Sequence, residues 1–146
     1  MKKMNNKGFS LIELIIVIAI MAILVAIIAP NLTKYLGKSK KNTDKKNADE
    51  LAQQLQTAIS DYESQDDASG INADFTVTWA STGVTVTAGS AVPAGGQSLQ
   101  DIIASNITSS TKSKETNNYA TADVKYDSTK GAYKITVTVG NATAVK

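Results

Sequence analysis

Glu13 is the one ionisable side chain between Phe9 and Ala29, and Ser10 is the only other polar residue in that stretch. A carboxylate set among so many aliphatic side chains is costly unless a cation or a hydrogen-bond donor meets it. The chemistry it can do is charge pairing rather than bond-making. Elsewhere, groups that make and break bonds are scarce. With no His and no Cys, the chain has no imidazole base, no thiol nucleophile, no disulfide and none of the usual zinc ligands. No Gly-rich phosphate loop follows a strand and opens a helix. Asp66, Asp67 and Asp74 could gather a calcium ion, but their spacing matches no metal loop and reads better as a solvated helix end. No catalytic residue, cofactor or metal is therefore expected. Asn106-Ile107-Thr108 and Asn141-Ala142-Thr143 fit the N-glycosylation pattern, which is frequent by chance.

The element that must carry Glu13 is a helix. Phe9 to Ala29 is 21 residues, and a helix of that length rises about 30 Å, enough to cross a bilayer. Lys2, Lys3 and Lys7 precede it. A cleaved secretory signal is a poorer fit, because the run is long, Glu13 interrupts it and no Ala-x-Ala site ends it. Charge counting does not orient the span, since Lys34, Lys38, Lys40, Lys41, Lys45 and Lys46 beyond it outnumber the lysines before it.

The succession Lys7-Gly8-Phe9-Ser10-Leu11-Ile12-Glu13, followed by the long apolar run to Pro30, resembles the leader of type IV pilins and their prepilins. The resemblance covers about a sixth of the chain and implies the following. A prepilin peptidase cuts between Gly8 and Phe9, and the new amino terminus of Phe9 is N-methylated. Glu13, one turn beyond that amine, pairs with the amine of a neighbouring subunit during assembly; a contact with its own amine is the duller alternative. The precursor sits in the cytoplasmic membrane with its N-terminus in the cytoplasm and then joins an extracellular pilus. Partners are further copies of the chain, the peptidase, and an assembly platform with its ATPase. The relatives often have glycine where this chain has Ala22, and many close a C-terminal loop with a disulfide that is impossible here. A pseudopilin of a secretion or competence system shares the same N-terminal motif and is the alternative. A membrane-anchored binding domain that never polymerises is a third reading; it predicts an uncleaved leader and indifference to changes at Glu13.

The rest of the chain divides by pattern. Residues 1–8 are a leader, 9–30 the hydrophobic transmembrane and assembly helix, 31–66 its amphipathic continuation, and 67–146 a β-rich globular part. Pro30 lacks an N–H and crowds the carbonyl of Ala26, so a kink or local break is expected near Ala26–Pro30. Gly37 to Thr43 has no apolar stripe and reads as a solvated stretch, with a basic patch for lipid head groups or an acidic neighbour as the sharper reading. From Ala48 the stripe is clear: Ala48, Leu51, Ala52, Leu55, Ala58, Ile59 and Tyr62 recur at helical spacing. Lys45 with Asp49, and Lys46 with Glu50, are spaced for ion pairs. Asp66 to Gly70 ends the helix, Gly70 being able to turn left-handed.

Beyond it, Phe75–Trp79 and Val84–Thr87 alternate with period two around a turn at Ser81–Gly83. Gly89–Gly96 is a loop, and Ser98 caps a short helix from Leu99 to Ser105. Ser109 to Asn118 reads as an exposed loop. Ala120–Tyr126 and Ala132–Val139 form a hairpin, and Gly140-Asn141 turns into a last short strand, Ala142–Val145. Trp79, Tyr119, Tyr126 and Tyr133 read as core or sheet-face residues. The class is α+β, a long N-terminal helix whose second half packs on a small antiparallel sheet.

Composition takes away the electrostatic basis for nucleic-acid binding, and no specific nucleic acid is expected as a partner. The formal charge is +2, but beyond Gly8 the chain holds 12 lysines against 13 acids, a net of −1, and it has no Arg to read base edges.

Overall fold

The computed structural model describes residues 8–65, 74–87, 98–107 and 111–146. Its elements are α1 (Leu11–Glu63), β1 (Phe75–Ala80), β2 (Gly83–Thr87), α2 (Leu99–Asn106), β3 (Thr121–Asp127), β4 (Ala132–Val139) and β5 (Ala142–Val145). A long N-terminal apolar helix followed by a five-stranded antiparallel sheet is the α+β layout expected. The chain divides into two compact units, Met1–Lys38 and Ser39–Lys146. The expected helix end at Asp66–Gly70 and the expected loop at Gly89–Gly96 lie outside the described residues.

In the second unit the strand order is β2-β1-β3-β4-β5, every neighbouring pair antiparallel. Three of the four pairings are hairpins between consecutive strands. Ser81-Thr82 joins β1 to β2, with Gly83 already paired to Ala80 at φ 130°. Gly140-Asn141 joins β4 to β5, with Gly140 at φ 61° in a two-residue turn that favours glycine at its first place. The fourth pairing, β1 with β3, spans α2 and the segment after it.

Period-two alternation sorts the two faces. Across the inner face one row runs Val86, Val77, Ala122, Val137, Ala144, one residue from each strand. The neighbouring row holds Phe75, Val124 and Ile135. All but the half-buried Val86 are buried. The same core takes in the stripe from Ala48 to Tyr62 and, from α2, Leu99, Ile102 and Ile103. Alanines at 48, 52, 58, 122 and 144 sit among Leu, Ile, Val, Tyr and Trp, a mixture that lets large side chains interdigitate. Each fully buried Leu or Ile contributes about 1.5–3 kcal/mol relative to exposure. The outer face presents the threonine row Thr85, Thr78, Thr121, Thr138, Thr143. β-branched and polar, threonine suits a strand surface that faces water.

α2 begins as the sequence implies. Ser98 takes the N-cap, its Oγ accepting from the Asp101 N–H at 3.2 Å and donating to the Asp101 carboxylate at 2.5 Å.

Candidate functional site

Ser10 and Glu13 are spaced as a capping box, and the structure closes half of it. α1 starts at Leu11, which puts Ser10 at the N-cap and Glu13 at the third helical position. Glu13 Oε2 accepts the Ser10 N–H at 2.8 Å. One of the helix's orphan donors is thus satisfied, and the carboxylate sits where the helix dipole favours negative charge. The S-x-x-E spacing was there to be read in the sequence. Weighing Glu13 for its charge alone does not reveal this backbone partner. Among the described residues the other carboxylate oxygen accepts no hydrogen bond.

Around Glu13 the helix is bare. Large apolar side chains from Phe9 to Leu36 are between 47% (Val17) and 93% (Phe9) exposed. An aliphatic surface this continuous is far beyond the single exposed residues of ordinary soluble domains. α1 is long and apolar enough here to cross a membrane, and none of that window is buried within the chain. Gly8 is exposed, and a Cβ built on it meets nothing within 4 Å. Packing among the described residues therefore places no demand for glycine at that position.

α1 continues through Pro30 as unbroken helix, so no local break lies at Ala26–Pro30. Side chains engage carbonyls near the missing amide: Asn31 Nδ2 donates to Ile27 O at 3.4 Å, and Thr33 Oγ1 to Ala29 O at 2.7 Å. Ala26 and Ala29 before the proline and Leu32, Lys34 and Leu36 after it are good helix formers.

A second polar centre lies in the unit from Ser39 onward, and no feature of the sequence had singled it out. Asp44 is fully buried. Its carboxylate accepts the Ser113 hydroxyl at 2.6 Å, the Lys114 N–H at 2.6 Å and the Glu115 N–H at 3.1 Å. Ser113, 3% exposed, also accepts the Glu115 and Thr116 N–H groups at 3.1 and 2.9 Å. Burial pushes the Asp44 pKa up, but the Ser113 hydroxyl, the two backbone donors and the charge of Lys114 outweigh it and hold it below its ordinary value of 3.8. The segment expected as an exposed loop, Ser109–Asn118, is therefore anchored at Ser113. Residues 108–110 lie outside the described part. Lys112 and Tyr119 close the same segment by a β-bridge, the ammonium 4.4 Å from the ring centroid.

The remaining candidates have plain roles. Asp74 accepts the Tyr126 N–H at 2.9 Å. Asp66 and Asp67 lie outside the described residues, among which no cluster of three metal-ligating side chains occurs. Trp79 is buried, and its Nε1 has no partner among the described residues. Tyr126 and Tyr133 pair across β3 and β4 with their rings tilted at 41° and 5.3 Å between centroids. Tyr133 donates its hydroxyl to Glu63. Of the two sequons, Asn106 donates its amide to Asp61 at 3.1 Å, Thr108 is outside the described residues, and Asn141 lies exposed in the β4–β5 turn. The spaced pairs Lys45–Asp49 and Lys46–Glu50 form no ion pair within 4 Å; among the described residues only Lys130–Asp127, at 3.6 Å, does.

Residues 3–29 match a family model described as the prokaryotic N-terminal methylation motif. The N-terminal segment is a prepilin motif. Relatives of the motif-bearing chain agree. It is 51% identical over 43 residues to the type IV major pilin protein PilA of Myxococcus xanthus, covering 30% of this chain and 20% of that one. To prepilin peptidase-dependent protein A of Clostridium perfringens it is 38% identical over 60 residues, 40% of this chain and 43% of the relative. To a ComG operon protein 3 homolog of Bacillus licheniformis it is 36% identical over 64 residues, 44% and 62% respectively. The chain thus spans from a fifth to about three fifths of the length of these relatives. No solved structure matches it. What these matches share with the chain is its prepilin-type N-terminal segment.

Proposed function

We propose that this chain is the subunit of a type IV pilus, made as a membrane-held prepilin and polymerised into a surface filament. The observation that carries the proposal is the bare aliphatic helix with a single carboxylate near its start. Such a surface needs a bilayer or a bundle of like helices to cover it, and only the bundle offers Glu13 a protein cation. On this reading a prepilin peptidase removes residues 1–8 between Gly8 and Phe9. Phe9 becomes the methylated terminus. Residues 9–30 pass from membrane to filament core, 31–66 carry the helix onward, with Pro30 the place where it bends, and 67–146 complete the outward part. Glu13 meets the amine of a neighbouring copy, which offsets the cost of burying it and fixes register. The platform and ATPase of an assembly machine are the remaining partners, and adhesion, surface motility or biofilm formation is the use.

A specific observation favours a second reading, a pseudopilin of a secretion or DNA-uptake system. The matched segment covers more of the ComG protein 3 homolog than of the type IV major pilin. The deciding measurement is the N-terminal residue of this chain in material sheared from the cell surface. Methylated Phe9 in long filaments supports the pilus. Methylated Phe9 confined to the membrane, with no long filaments, favours the pseudopilin. An intact Met1 in both places would sink both readings.

A further inference from the structure

Formal charge is segregated along the chain. Between Ser39 and Lys46 lie Lys40, Lys41, Lys45 and Lys46 against one acid, Asp44. That acid is buried and held by Ser113, Lys114 and Glu115, so it does not face the lysines' solvent. All four lysines are exposed, and none has an ion-pair partner among the described residues. From Asn47 onward the balance reverses, with 11 acids against 6 lysines, a net of −5.

The last turn of α1 sharpens the contrast. It carries no base, yet Asp61 and Glu63 lie there, both exposed. Helix carbonyls concentrate negative potential at a C-terminus, and carboxylates there are unfavourable. Their hydrogen bonds, from Asn106 to Asp61 and from Tyr133 to Glu63, bring no cation. Among the described residues the same helix therefore presents a basic stretch with no ion pair and, further along, two carboxylates with no cation within ion-pair distance.

We infer that the Lys40–Lys46 stretch of one copy docks against the acidic end of α1, Asp61 and Glu63, in a second copy. Charge complementarity within one sequence points to a copy of this chain as the occupant. Thr43, at the centre of the basic stretch, and Tyr62, at the acidic end, are 19 residues apart, about 28 Å of helix rise. Parallel copies displaced axially by that distance bring the two into register. Opposite charges then meet, whereas unshifted parallel copies would set like against like. This rests on the subunit reading proposed above and adds the contact that sets one axial offset. Exposed ion pairs are individually weak and screened by salt, so the contact selects register and is sensitive to ionic strength.

The test uses full-length chain in its native filaments. Zero-length carbodiimide cross-linking followed by peptide mass spectrometry reads which lysines lie against which carboxylates. The expected result is intermolecular links from Lys41 or Lys45 to Asp61 or Glu63 in filaments, absent from detergent-dispersed monomer. The double variant Lys41→Glu/Lys45→Glu is expected to lower filament yield about tenfold at low salt, with processed subunit in the membrane unchanged. Adding Asp61→Lys/Glu63→Lys to it should restore much of the yield. Filaments of normal yield from the Lys→Glu variant, or filaments lacking those links, would overturn the inference while leaving the subunit reading in place. Lysine reactivity lost instead when monomer enters phosphatidylglycerol vesicles, with no such links in filaments, would assign the stretch to lipid and also overturn it. If the chain is found in no filament at all, both the inference and the subunit reading fall.

Discussion

Removing the Asp44 carboxylate is the sharpest test of how the second unit holds together. Three donors converge on it: the Ser113 hydroxyl and the N–H groups of Lys114 and Glu115. Asp44→Ala strands them differently. The Glu115 N–H keeps Ser113 Oγ as a second acceptor at 3.1 Å, and the hydroxyl can turn. The Lys114 N–H has no such reserve among the bonds described. An unsatisfied buried donor costs about 1–3 kcal/mol, and hydrogen bonds to a charged group are worth about 1.5–3 kcal/mol, so a loss of about 2–4 kcal/mol is expected. Asp44→Asn keeps one acceptor oxygen and should lose about half as much.

The pH dependence follows from the lowered pKa. A carboxylate whose folded pKa lies below its unfolded value contributes stability that is fully present above the unfolded value and is lost as pH falls through the folded one. The gap between the wild type and Asp44→Asn should therefore be constant from pH 7 to about pH 5 and should shrink below the ordinary value of 3.8. Denaturant unfolding of the detergent-solubilised full chain, followed by circular dichroism at several pH values, measures both quantities. An Asp44→Ala variant within about 0.5 kcal/mol of the wild type, the ordinary range for surface substitutions, would refute the reasoning. So would a gap that does not change on acidification.

Gly140→Ala should destabilise by about 2 kcal/mol or more, because residue 140 has φ 61° and its new Cβ would lie 2.8 Å from Ser113 Cβ; the same unfolding assay reads it. Tyr133→Phe removes the hydrogen bond to Glu63 and should cost about 1 kcal/mol at pH 7. Burial, and then the Glu63 carboxylate, push the Tyr133 hydroxyl well above its usual 10.0, so the wild type should lose stability as pH rises beyond that value; Tyr133→Phe should lose less, and in a tyrosine absorbance titration it should remove a late-titrating group that the wild type shows. Gly8→Val should leave the unfolding midpoint unchanged, since space around Gly8 is open, yet should leave uncut precursor in the membrane; mass spectrometry finding Phe9 still as the mature end would count against a processing role.

Much of the fold was legible because it rests on local periodicity. The Ala48–Tyr62 stripe, the Ser98 cap and the three hairpins each follow from residues a few positions apart, and the structure has them all. The β1–β3 pairing was not legible, since it joins strands more than 40 residues apart and no local pattern selects the partner. Asp44 was hidden for a related reason. A lone acid amid lysines reads as solvated, and the donors that hold it lie 69 to 71 residues away. The reverse error occurred at Lys45–Asp49 and Lys46–Glu50. Spacing permits those pairs, but water solvates exposed charges so well that proximity on a helix gives little drive to close them.

Glu13 makes one contact in its own helix and is proposed to make another between copies, and a single substitution can separate the two. One carboxylate oxygen holds the Ser10 N–H and so starts the helix. The other accepts no hydrogen bond among the described residues, which leaves it open to a cation from another copy. Glu13→Gln keeps an acceptor of the same reach, and Gln serves a capping box as Glu does; only the charge is lost. Glu13→Val loses both. If charge pairing between copies drives assembly, Gln should fail as badly as Val in filament yield while keeping the helical start, which amide hydrogen exchange at Ser10 would read as retained protection. If capping is what matters, Gln should assemble normally and Val alone should fail, with Ser10 exchanging fast. Ser10 itself supplies the complement. Ser10→Ala removes the cap hydroxyl and leaves the Ser10-position N–H and the carboxylate in place, so on the charge-pairing account it assembles at the wild-type level. A Gln variant that forms filaments as well as the wild type would end the case for an intermolecular ion pair, however the helix start behaves.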